Sequence, residues 1–412
     1  MINLYVFNQT SPAAVFGIGT YIRELTTALK GSEINVCVVH LRSEKTDMEM
    51  EESDNIRHWY IPAQTSIHNY QNYEEQKECY YRNVLYLLQL YIVKRKEKLI
   101  FHINYMKCKP LVDLLKSTFD CKVVLVVHYL DSCILLMGNI SRLRRIILQA
   151  IEPADIVERS AKVSFQEEKE MLQAVDKIIC LANHTFDFLH QEYQIDKEKM
   201  IIIHNGLSEV ITLRLTAKDL LEKWRLSVKE FLILFVGRLQ SGKGLIFLIE
   251  AFRKMLEIIP NCRLIIAGNG DYDTYLQEAK DICTKITFTG LLEKKDLYEF
   301  YQIANVGVIP SMYETFGYVA VEMMMHGLPL VTTATSGLNE VVDDACGLKV
   351  PITILPDKAE INTTLLAQKI LYLLQHPVEA QQMGQNGRKR FLKKYASEVF
   401  RKNMLDFYHT LK

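Results

Sequence analysis

The chain has 412 residues, a length that exceeds one ordinary hydrophobic core and suits two α/β domains of about 200 residues each. Its 49 basic residues balance 49 acidic residues, so the overall charge gives no reason to expect nucleic acid as a partner. Nine cysteines without a CxxC pair are typical of a reducing compartment, and no apolar stretch approaches the roughly 18 residues of a membrane span. Because the first residues also lack a leader-like pattern, we expect a cytoplasmic protein.

The first half of the chain alternates short apolar runs with amphipathic runs. The apolar runs are INLYVF, INVCVVHL, LIFHI, CKVVLVVHY and VDKIICLA, and GTYIRELTTALK is the first amphipathic run between them. Continuous Val, Ile and Leu runs are typical of parallel strands covered on both faces, and the amphipathic runs are typical of the covering helices. This half therefore predicts a doubly wound parallel sheet.

The same pattern restarts after IIIHNGL, with FLILFVG, CRLIIAG, KITFTG, VGVIPS and LPLVTT as apolar runs. We therefore predict an α/β protein with two Rossmann-like domains, over residues 1–206 and 207–393. A final helix, at about residues 394–412, is rich in Phe, Tyr and Leu, and we expect it to pack back on the first domain. Ligands of open parallel sheets lie beyond the carboxyl ends of the strands, so two such domains facing each other predict a site in a cleft.

A glycine-rich turn follows the first strand of the first half. Gly17 and Gly19 open the next helix, where main-chain NH groups and the positive helix end favour a phosphate or an approaching substrate. The third glycine of the dinucleotide fingerprint is missing, which argues against a Rossmann cofactor. A purely structural turn is the alternative.

The second half carries GRLQSGKG, from Gly237 to Gly244, between an apolar run and a helix. This sequence nearly matches a P-loop, but Gly244 replaces the Ser or Thr whose hydroxyl would bind magnesium. Arg238 and Lys243 are then two cations at one strand end, which suits a diphosphate. A P-loop ATPase and a pair of solvated surface charges are the alternatives.

Two other features have a simple structural explanation beside a functional one. Asp271 and Asp273 form a DxD pattern, which occurs with metal-bound nucleotide sugars, but acidic residues at such a turn also cap helices. We favour capping and predict no metal site. His128 ends the strand KVVLVVH, where it is either a hydrogen-bonded structural residue or a substrate contact, and His102 has a similar position.

The stretch SMYETFGYVAVEMMMHGLPLV, residues 311–331, carries two carboxylates in an apolar region. Helix signals predict a helix from about Gly317 to His326, so Glu314 lies in the preceding loop and Glu322 lies within the helix. Their separation is on the order of 10 Å. We expect a diphosphate between them, held by main-chain NH groups at the helix start, with sugar and ribose hydroxyls bound by the glutamates. These NH groups belong to Phe316, Gly317, Tyr318 and Val319.

Six motifs follow one another in an order that resembles a known family. They are GIGTYIREL, HNGL, VGRLQSGKGL, LIIAGNGD, ITFTGLL and PSMYETFGYVAVEMMMHGLPLVTT. The chain resembles, over nearly its whole length, the retaining GT-B glycosyltransferases of the large fourth family, the glycosyl transferases group 1. The E-x7-E pattern with its Phe-Gly is the most specific part of this resemblance.

The resemblance implies a role for each matching residue of the second half. Glu314, with the NH groups at the helix start, would bind hydroxyls of the transferred sugar, and Glu322 would bind the ribose diol. Arg238 and Lys243 would stabilise the leaving diphosphate, which a metal does in other transferases. The turns that would approach or cover the nucleotide contain Gly237, Asn269, Gly290, Leu291 and Leu292.

In the first half, the resemblance implies that Gly19 lets a loop approach the donor and that His128 touches the transferred sugar. Tyr129 follows His128 here, whereas an Asp often follows this histidine in the family, and the next acid is Asp131. This departure makes His128 the least supported of the implied site residues.

The function that the resemblance implies is hexose transfer from a nucleotide diphosphate sugar, most often a UDP sugar, to an acceptor hydroxyl with retained anomeric configuration. No metal and no bound cofactor is expected. The acceptor would be a sugar, a lipid-linked molecule or a peptide in glycan or glycoconjugate synthesis. A sugar-nucleotide epimerase of related fold and an inert sugar-binding protein are further alternatives.

One basic stretch raises the question of a membrane. SRLRRIILQ, residues 141–149, places Arg142, Arg144 and Arg145 beside apolar residues. Such a stretch can rest weakly on the anionic inner face of a membrane, since each cation contributes about 1 kcal/mol near it. A solvated helix face over core residues is the alternative, and the short run with zero net charge favours it.

Overall fold

The computed structural model describes residues 2–9, 17–63, 73–92, 98–148, 153–210 and 215–411. The chain divides into two compact units. The first consists of Met1–Leu130, Val163–Gly206 and Ser397–Lys412, and the second consists of Asp131–Lys162 and Leu207–Ala396. Each unit is built around its own sheet.

The first unit contains a sheet of eight strands in the order β3-β4-β2-β1-β5-β6-β7-β8. The strands are β1 (Ile2–Gln9), β2 (Ile34–Ser43), β3 (Glu49–Ser53), β4 (Ile56–Pro62), β5 (Lys98–Ile103), β6 (Cys121–Val127), β7 (Lys177–Cys180) and β8 (Met200–Ile202). All neighbours are parallel except β3 and β4. The chain moves outward from β1 on both sides, which is the doubly wound arrangement.

Seven helices are described in the first half. They are α1 (Gly17–Leu29), α2 (Tyr73–Tyr91), α3 (Lys109–Thr118), α4 (Asp131–Leu135), α5 (Ile140–Leu148), α6 (Ile156–Ala174) and α7 (Asn183–Glu192). Of these, α4, α5 and the first residues of α6 belong to the second unit. In α1 the residues Ile18, Tyr21, Ile22, Leu25 and Leu29 are buried. Their spacing of three and four residues forms the apolar stripe of an amphipathic helix.

The second unit contains a parallel sheet of six strands in the order β11-β10-β9-β12-β13-β14. The strands are β9 (Phe231–Val236), β10 (Cys262–Ala267), β11 (Ile286–Gly290), β12 (Val306–Ile309), β13 (Leu330–Thr333) and β14 (Gly347–Val350), and a hairpin of β15 (Ile352–Ile354) and β16 (Ala359–Ile361) follows. The order of the six strands is that of a Rossmann sheet.

The remaining helices belong to the second unit, apart from the last one, which belongs to the first. They are α8 (Ala217–Lys223), α9 (Leu245–Ile258), α10 (Tyr272–Glu278), α11 (Lys294–Ile303), α12 (Tyr318–Met325), α13 (Ser336–Val341), α14 (Thr363–Gln375), α15 (Pro377–Lys394) and α16 (Ser397–Thr410). A 3₁₀ turn at Lys197–Lys199 lies in the first unit, and those at Ser241–Lys243 and Lys280–Lys285 lie in the second. No helix in the described ranges is both long and apolar enough to cross a bilayer.

The grouping differs from the predicted division in one segment. Residues 131–162 were expected in the first domain, but they group with the second unit. Asn139 Nδ2 donates a hydrogen bond to the Leu355 carbonyl at 2.8 Å, and Arg142 Nη1 donates to the Asp357 carbonyl at 2.9 Å. These contacts join distant parts of the sequence, so alternation of apolar runs gives no sign of them.

Candidate active site

In the second sheet, β9 and β12 are neighbours although the chain forms β10 and β11 between them. The strand order reverses here, so the loops that leave the carboxyl ends of these two strands diverge and open a crevice. The loop after β9 carries Arg238 and Lys243, and the loop after β12 carries Glu314. The topology therefore places both predicted cations and one predicted carboxylate at the same edge.

Lys243 and Glu314 are in direct contact, because Lys243 Nζ forms an ion pair with Glu314 Oε1. Ser311 Oγ donates a second hydrogen bond to the same oxygen at 2.9 Å. The lysine and glutamate side chains are 21% and 18% exposed, so the pair is sheltered and still reachable from solvent. Arg238 lies half-buried in the turn just after β9.

Gly244 allows the two loops to approach each other. Its φ is +68°, and a Cβ atom on it would lie 1.9 Å from the Pro310 carbonyl oxygen. The Met312 NH donates to the Gly242 carbonyl at 2.9 Å and links the same two loops. A Ser or Thr has no room at position 244, so this geometry argues against the P-loop ATPase alternative.

Three predicted residues lie at the ends of neighbouring strands: Gly237 follows β9, Asn269 follows β10, and Gly290 is the last residue of β11. The Gly268 NH donates to the Gly290 carbonyl at 2.9 Å. A Cβ atom on Gly268 would lie 1.8 Å from the Gly237 carbonyl oxygen, so these turns touch through their main chains. The structure therefore brings these predicted positions together.

The helix α12 begins at Tyr318 and ends at Met325, one residue inside the predicted limits at each end. Gly317 precedes it with φ +99°, a conformation that favours glycine, and Phe316 is buried. The first NH groups of a helix find no carbonyl within the helix, and Tyr318 and Val319 supply those groups here. The positive end of α12 thus lies directly after the loop of Glu314.

Glu322 lies in the second turn of α12, and its side chain is only 6% exposed. Lys294 Nζ forms an ion pair with Oε1, and the Tyr301 hydroxyl donates to Oε2 at 2.9 Å. Burial and the charge of Glu322 raise the pKa of Tyr301 well above its ordinary value, so this hydroxyl keeps its proton. Both partners come from α11, which begins after β11 and the exposed Leu291 and half-buried Leu292.

Two family models match most of the chain. Residues 15–209 match the family described as glycosyltransferase family 4, and residues 217–390 match the family described as glycosyl transferases group 1. The chain belongs to the group 1 glycosyltransferase family. This confirms the family that the sequence motifs indicated.

Curated members of the family match parts of the chain. An uncharacterized glycosyltransferase of Methanocaldococcus jannaschii is 37% identical over 161 residues, which are 36% of this chain and 40% of that protein. A D-inositol 3-phosphate glycosyltransferase of Mycobacteroides abscessus is 31% identical over 212 residues, which are 49% of this chain and 47% of that protein. The matched segments thus span less than half the length of these relatives.

Solved structures of glycosyltransferases match over the whole chain. A sucrose-phosphate synthase from Thermosynechococcus elongatus has a TM-score of 0.79 at 22% identity and covers 100% of this chain and 99% of that chain. Anabaena HepE, in complex with UDP and glucose, has a TM-score of 0.73 at 14% identity and covers 100% of both chains. This likeness confirms the predicted α/β class with two Rossmann-like domains of the GT-B type.

His128, the histidine that the family resemblance singled out, follows β6 in the first unit. Its Nε2 lies 2.9 Å from Asn104 Oδ1, and the Asn104 amide nitrogen donates to the Phe7 carbonyl at 3.0 Å. The amide oxygen is therefore the acceptor, and His128 carries its proton on Nε2. Burial lowers the pKa of His128 to about 3, so the ring is neutral near pH 7. A neutral ring can accept a hydrogen bond but cannot act as a cation.

His102 has a structural position in the same unit. It is fully buried, and its two ring nitrogens lie 3.2 Å from the Tyr21 hydroxyl and 2.8 Å from the Tyr408 hydroxyl. Gly17 and Gly19 form the first turn of α1, where Gly17 is exposed and Gly19 is half-buried, and the residues just before them lie outside the described ranges.

Asp271 and the arginines of α5 have structural partners in the second unit. Asp271 Oδ1 accepts a hydrogen bond from the Thr274 NH at 3.2 Å, which caps α10. Arg142 Nε and Arg145 Nη2 both donate to Glu158 Oε1, at 2.7 and 2.6 Å. Arg142 and Arg145 thus share an internal counter-charge, which favours the solvated helix face. The last residue of the stretch, at position 149, lies outside the described ranges.

Three residues of the site were not predicted from the sequence: Ser311, Lys294 and Tyr301. Ser311 lies three residues before Glu314, a spacing that suits a local hydrogen bond, so this contact had a weak signal. Lys294 and Tyr301 are seven residues apart and share one face of α11. Nothing in the sequence connects that face to Glu322.

Proposed function

We propose that this chain transfers a hexose from a nucleotide diphosphate sugar to an acceptor hydroxyl with retention of the anomeric configuration. The observation that carries the proposal is the contact between Lys243 and Glu314 at the strand-order reversal, beside the start of α12. Cations, a carboxylate and a positive helix end at one sheet edge suit a sugar diphosphate.

The diphosphate of the donor competes with Glu314 for Lys243. When the phosphates bind Lys243, Arg238 and the NH groups at the start of α12, Glu314 becomes available to accept hydrogen bonds from the sugar hydroxyls. Ser311 keeps the carboxylate in place during this exchange, because its bond does not depend on the lysine. The neutral ring of His128 is proposed as a further acceptor for the transferred sugar.

The chemical step breaks the bond between the anomeric carbon and the diphosphate oxygen, and the acceptor oxygen forms the new bond on the same face. The acceptor proton passes to an oxygen of the leaving diphosphate. Lys243 and Arg238 stabilise the negative charge that develops on that diphosphate, so the step needs no metal in this proposal. Orientation of the acceptor matters more than a strong base.

The donor and acceptor classes are proposed from chemistry and from relatives. UDP sugars are the first candidates for the donor, and HepE was solved with UDP and glucose. A small hydroxyl-rich or phosphorylated sugar is the first candidate for the acceptor, since a matched relative is named for D-inositol 3-phosphate. A lipid-linked or peptide acceptor, with weak membrane contact through the arginines of α5, is the second candidate. Vesicle co-sedimentation at low salt separates the two.

The test is transfer by the full chain with UDP-, GDP- and ADP-sugars, after a thermal-shift screen selects the nucleotide. We expect Lys243→Ala and Arg238→Ala each to lower turnover more than tenfold, and the exposed Lys295→Ala to leave it unchanged. NMR of the product reports the anomeric configuration. Unchanged turnover in both variants would remove the diphosphate assignment, and sugar epimerised without an acceptor would favour the epimerase alternative.

Metal dependence is tested separately. We expect transfer to continue in EDTA, because Lys243 and Arg238 supply the positive charge and Asp271 is engaged in capping α10. Loss of transfer in chelator that is restored by magnesium or manganese would contradict this part of the proposal.

A further inference from the structure

The two glutamates of the site are held in the same way. Glu314 is bound by Lys243 and by the hydroxyl of Ser311, and Glu322 is bound by Lys294 and by a tyrosine hydroxyl. Each carboxylate thus has one cation and one neutral donor. The two carboxylates differ in which of their oxygens accept these hydrogen bonds. Both donors of Glu314 share Oε1, whereas Glu322 receives one donor on each oxygen.

This distribution leaves both oxygens of Glu322 in fixed positions. Lys294 binds Oε1 and Tyr301 binds Oε2, and each carboxylate oxygen can accept a further hydrogen bond. A vicinal diol presents two hydroxyl donors side by side, so each can donate to one oxygen of the carboxylate. Glu322 is therefore arranged to receive a diol without losing either protein partner.

Lys294 is the cation that pairs with Glu322 among the described residues. The other titratable or charged groups around α12 and α11 do not replace it. Burial lowers the pKa of His326, which favours the neutral ring, and its Nδ1 lies 2.8 Å from the main-chain carbonyl of Glu322. Tyr298 packs against His326, and Arg388 donates to the Met325 carbonyl.

We propose that Lys294 is a positioning residue for the donor, whose positive charge holds the carboxylate of Glu322 in the orientation that binds the ribose diol. The inference rests on the proposed function, because it assigns the ribose of a nucleotide diphosphate to Glu322. Lys294 is suited to this role because its own side chain is 41% exposed, while that of Glu322 is nearly buried. The lysine thus sits between the carboxylate and solvent.

The experiment measures recognition of the 2′-hydroxyl by calorimetric titration of the full chain with UDP and with 2′-deoxy-UDP. If the thermal-shift screen selects guanine or adenine, the corresponding pair is used. We expect the wild type to bind the ribonucleotide about tenfold more tightly, since a hydrogen bond to a charged group is lost in the deoxy form. In Lys294→Met this ratio falls to near one, because ribonucleotide binding weakens and deoxynucleotide binding changes little.

Matched variants keep the result interpretable. Lys295→Met removes the neighbouring lysine, which is 70% exposed and pairs with Glu293, and we expect it to keep the wild-type ratio. Lys294→Arg restores the cation and retains the ratio. Lys294→Gln keeps a hydrogen-bond donor without the charge, and we expect the ratio to fall to near one. This variant also tests the inference if the methionine variant fails to fold.

Three outcomes would overturn the inference. An unchanged ratio in Lys294→Met and Lys294→Gln would show that the lysine does not act through the diol. Equal weakening of both nucleotides would assign it to the diphosphate or the base instead. A wild type that binds both nucleotides equally would remove Glu322 from ribose binding. A wild type that binds no nucleoside diphosphate would contradict the proposed function itself, which is a distinguishable result.

Discussion

Replacing Gly244 by Ala should separate the two loops that hold Lys243 and Glu314. The new Cβ atom would lie 1.9 Å from the Pro310 carbonyl oxygen, and φ at this position is +68°. An ordinary van der Waals contact of a Cβ atom begins at 3.4 Å, so the two groups must move apart by 1.5 Å, the difference between 3.4 and 1.9 Å. A left-handed φ costs an alanine about 1–2 kcal/mol, and a forced shift in a packed region costs about 1–3 kcal/mol. We expect the second unit to lose about 2–5 kcal/mol of unfolding free energy in total.

The control is Gly242→Ala in the same turn, because a Cβ atom there has no neighbour within 4 Å and its φ is not in the left-handed region. The chain has two tryptophans, Trp59 and Trp224, so Trp59→Phe leaves Trp224 as a reporter of the second unit. Urea unfolding in that background, followed by tryptophan fluorescence, gives the free energy of each variant. If the two alanine variants unfold within about 0.5 kcal/mol of each other, the steric reasoning is wrong.

Three other predictions follow from buried polar contacts. Hydrogen bonds from the Ala154 NH and then from Arg142 hold the pKa of Glu158 below its ordinary value of 4.5, so its contribution to the free energy of unfolding is present above that pH and is lost as the pH falls. In urea unfolding at a series of acidic pH values, Glu158→Gln should therefore make the free energy of unfolding less dependent on pH. The exposed Glu257→Gln should leave that dependence unchanged. Tyr408→Phe leaves the buried His102 without one partner and should cost about 1–3 kcal/mol in urea unfolding, whereas the exposed Tyr86→Phe should cost little. His128→Gln should lower turnover without changing the shape of the pH–rate profile between about pH 5.5 and 8, because burial lowers the pKa of the native ring to about 3. If the wild type shows an inflection in that range and the variant does not, this prediction is wrong.

The sequence predicted the strands of both sheets and the positions of the main turns and of one helix at the strand ends. The order of apolar runs indicated both parallel sheets, and the glycine-rich turn before Lys243 was placed correctly after β9. The helix after Gly317 was predicted to within one residue at each end, because glycine and proline mark its limits. These features depend on neighbours along the chain, which a single sequence displays directly.

The features that the sequence did not predict depend on contacts between residues that are distant in sequence. The pairing of Lys294 with Glu322 joins positions 28 residues apart, and the pairing of Lys243 with Glu314 joins positions 71 apart. The grouping of residues 131–162 with the second unit rests on contacts to the loop near Leu355. Periodicity carries no information about such pairs, since it reports which face of an element is apolar and not what that face meets.

The return of α16 to the first unit has a consequence for biosynthesis. A Cβ atom on Gly206 would lie 2.2 Å from Phe400 Cβ, so α16 packs directly on the main chain at Gly206. Gly206 is the last residue of the first unit before the chain enters the second. The ribosome makes Leu207–Ala396 before it makes this helix. The first unit therefore stays incomplete on the ribosome until the second has been synthesised, and during that interval the surface around Tyr21 and His102 is available to chaperones.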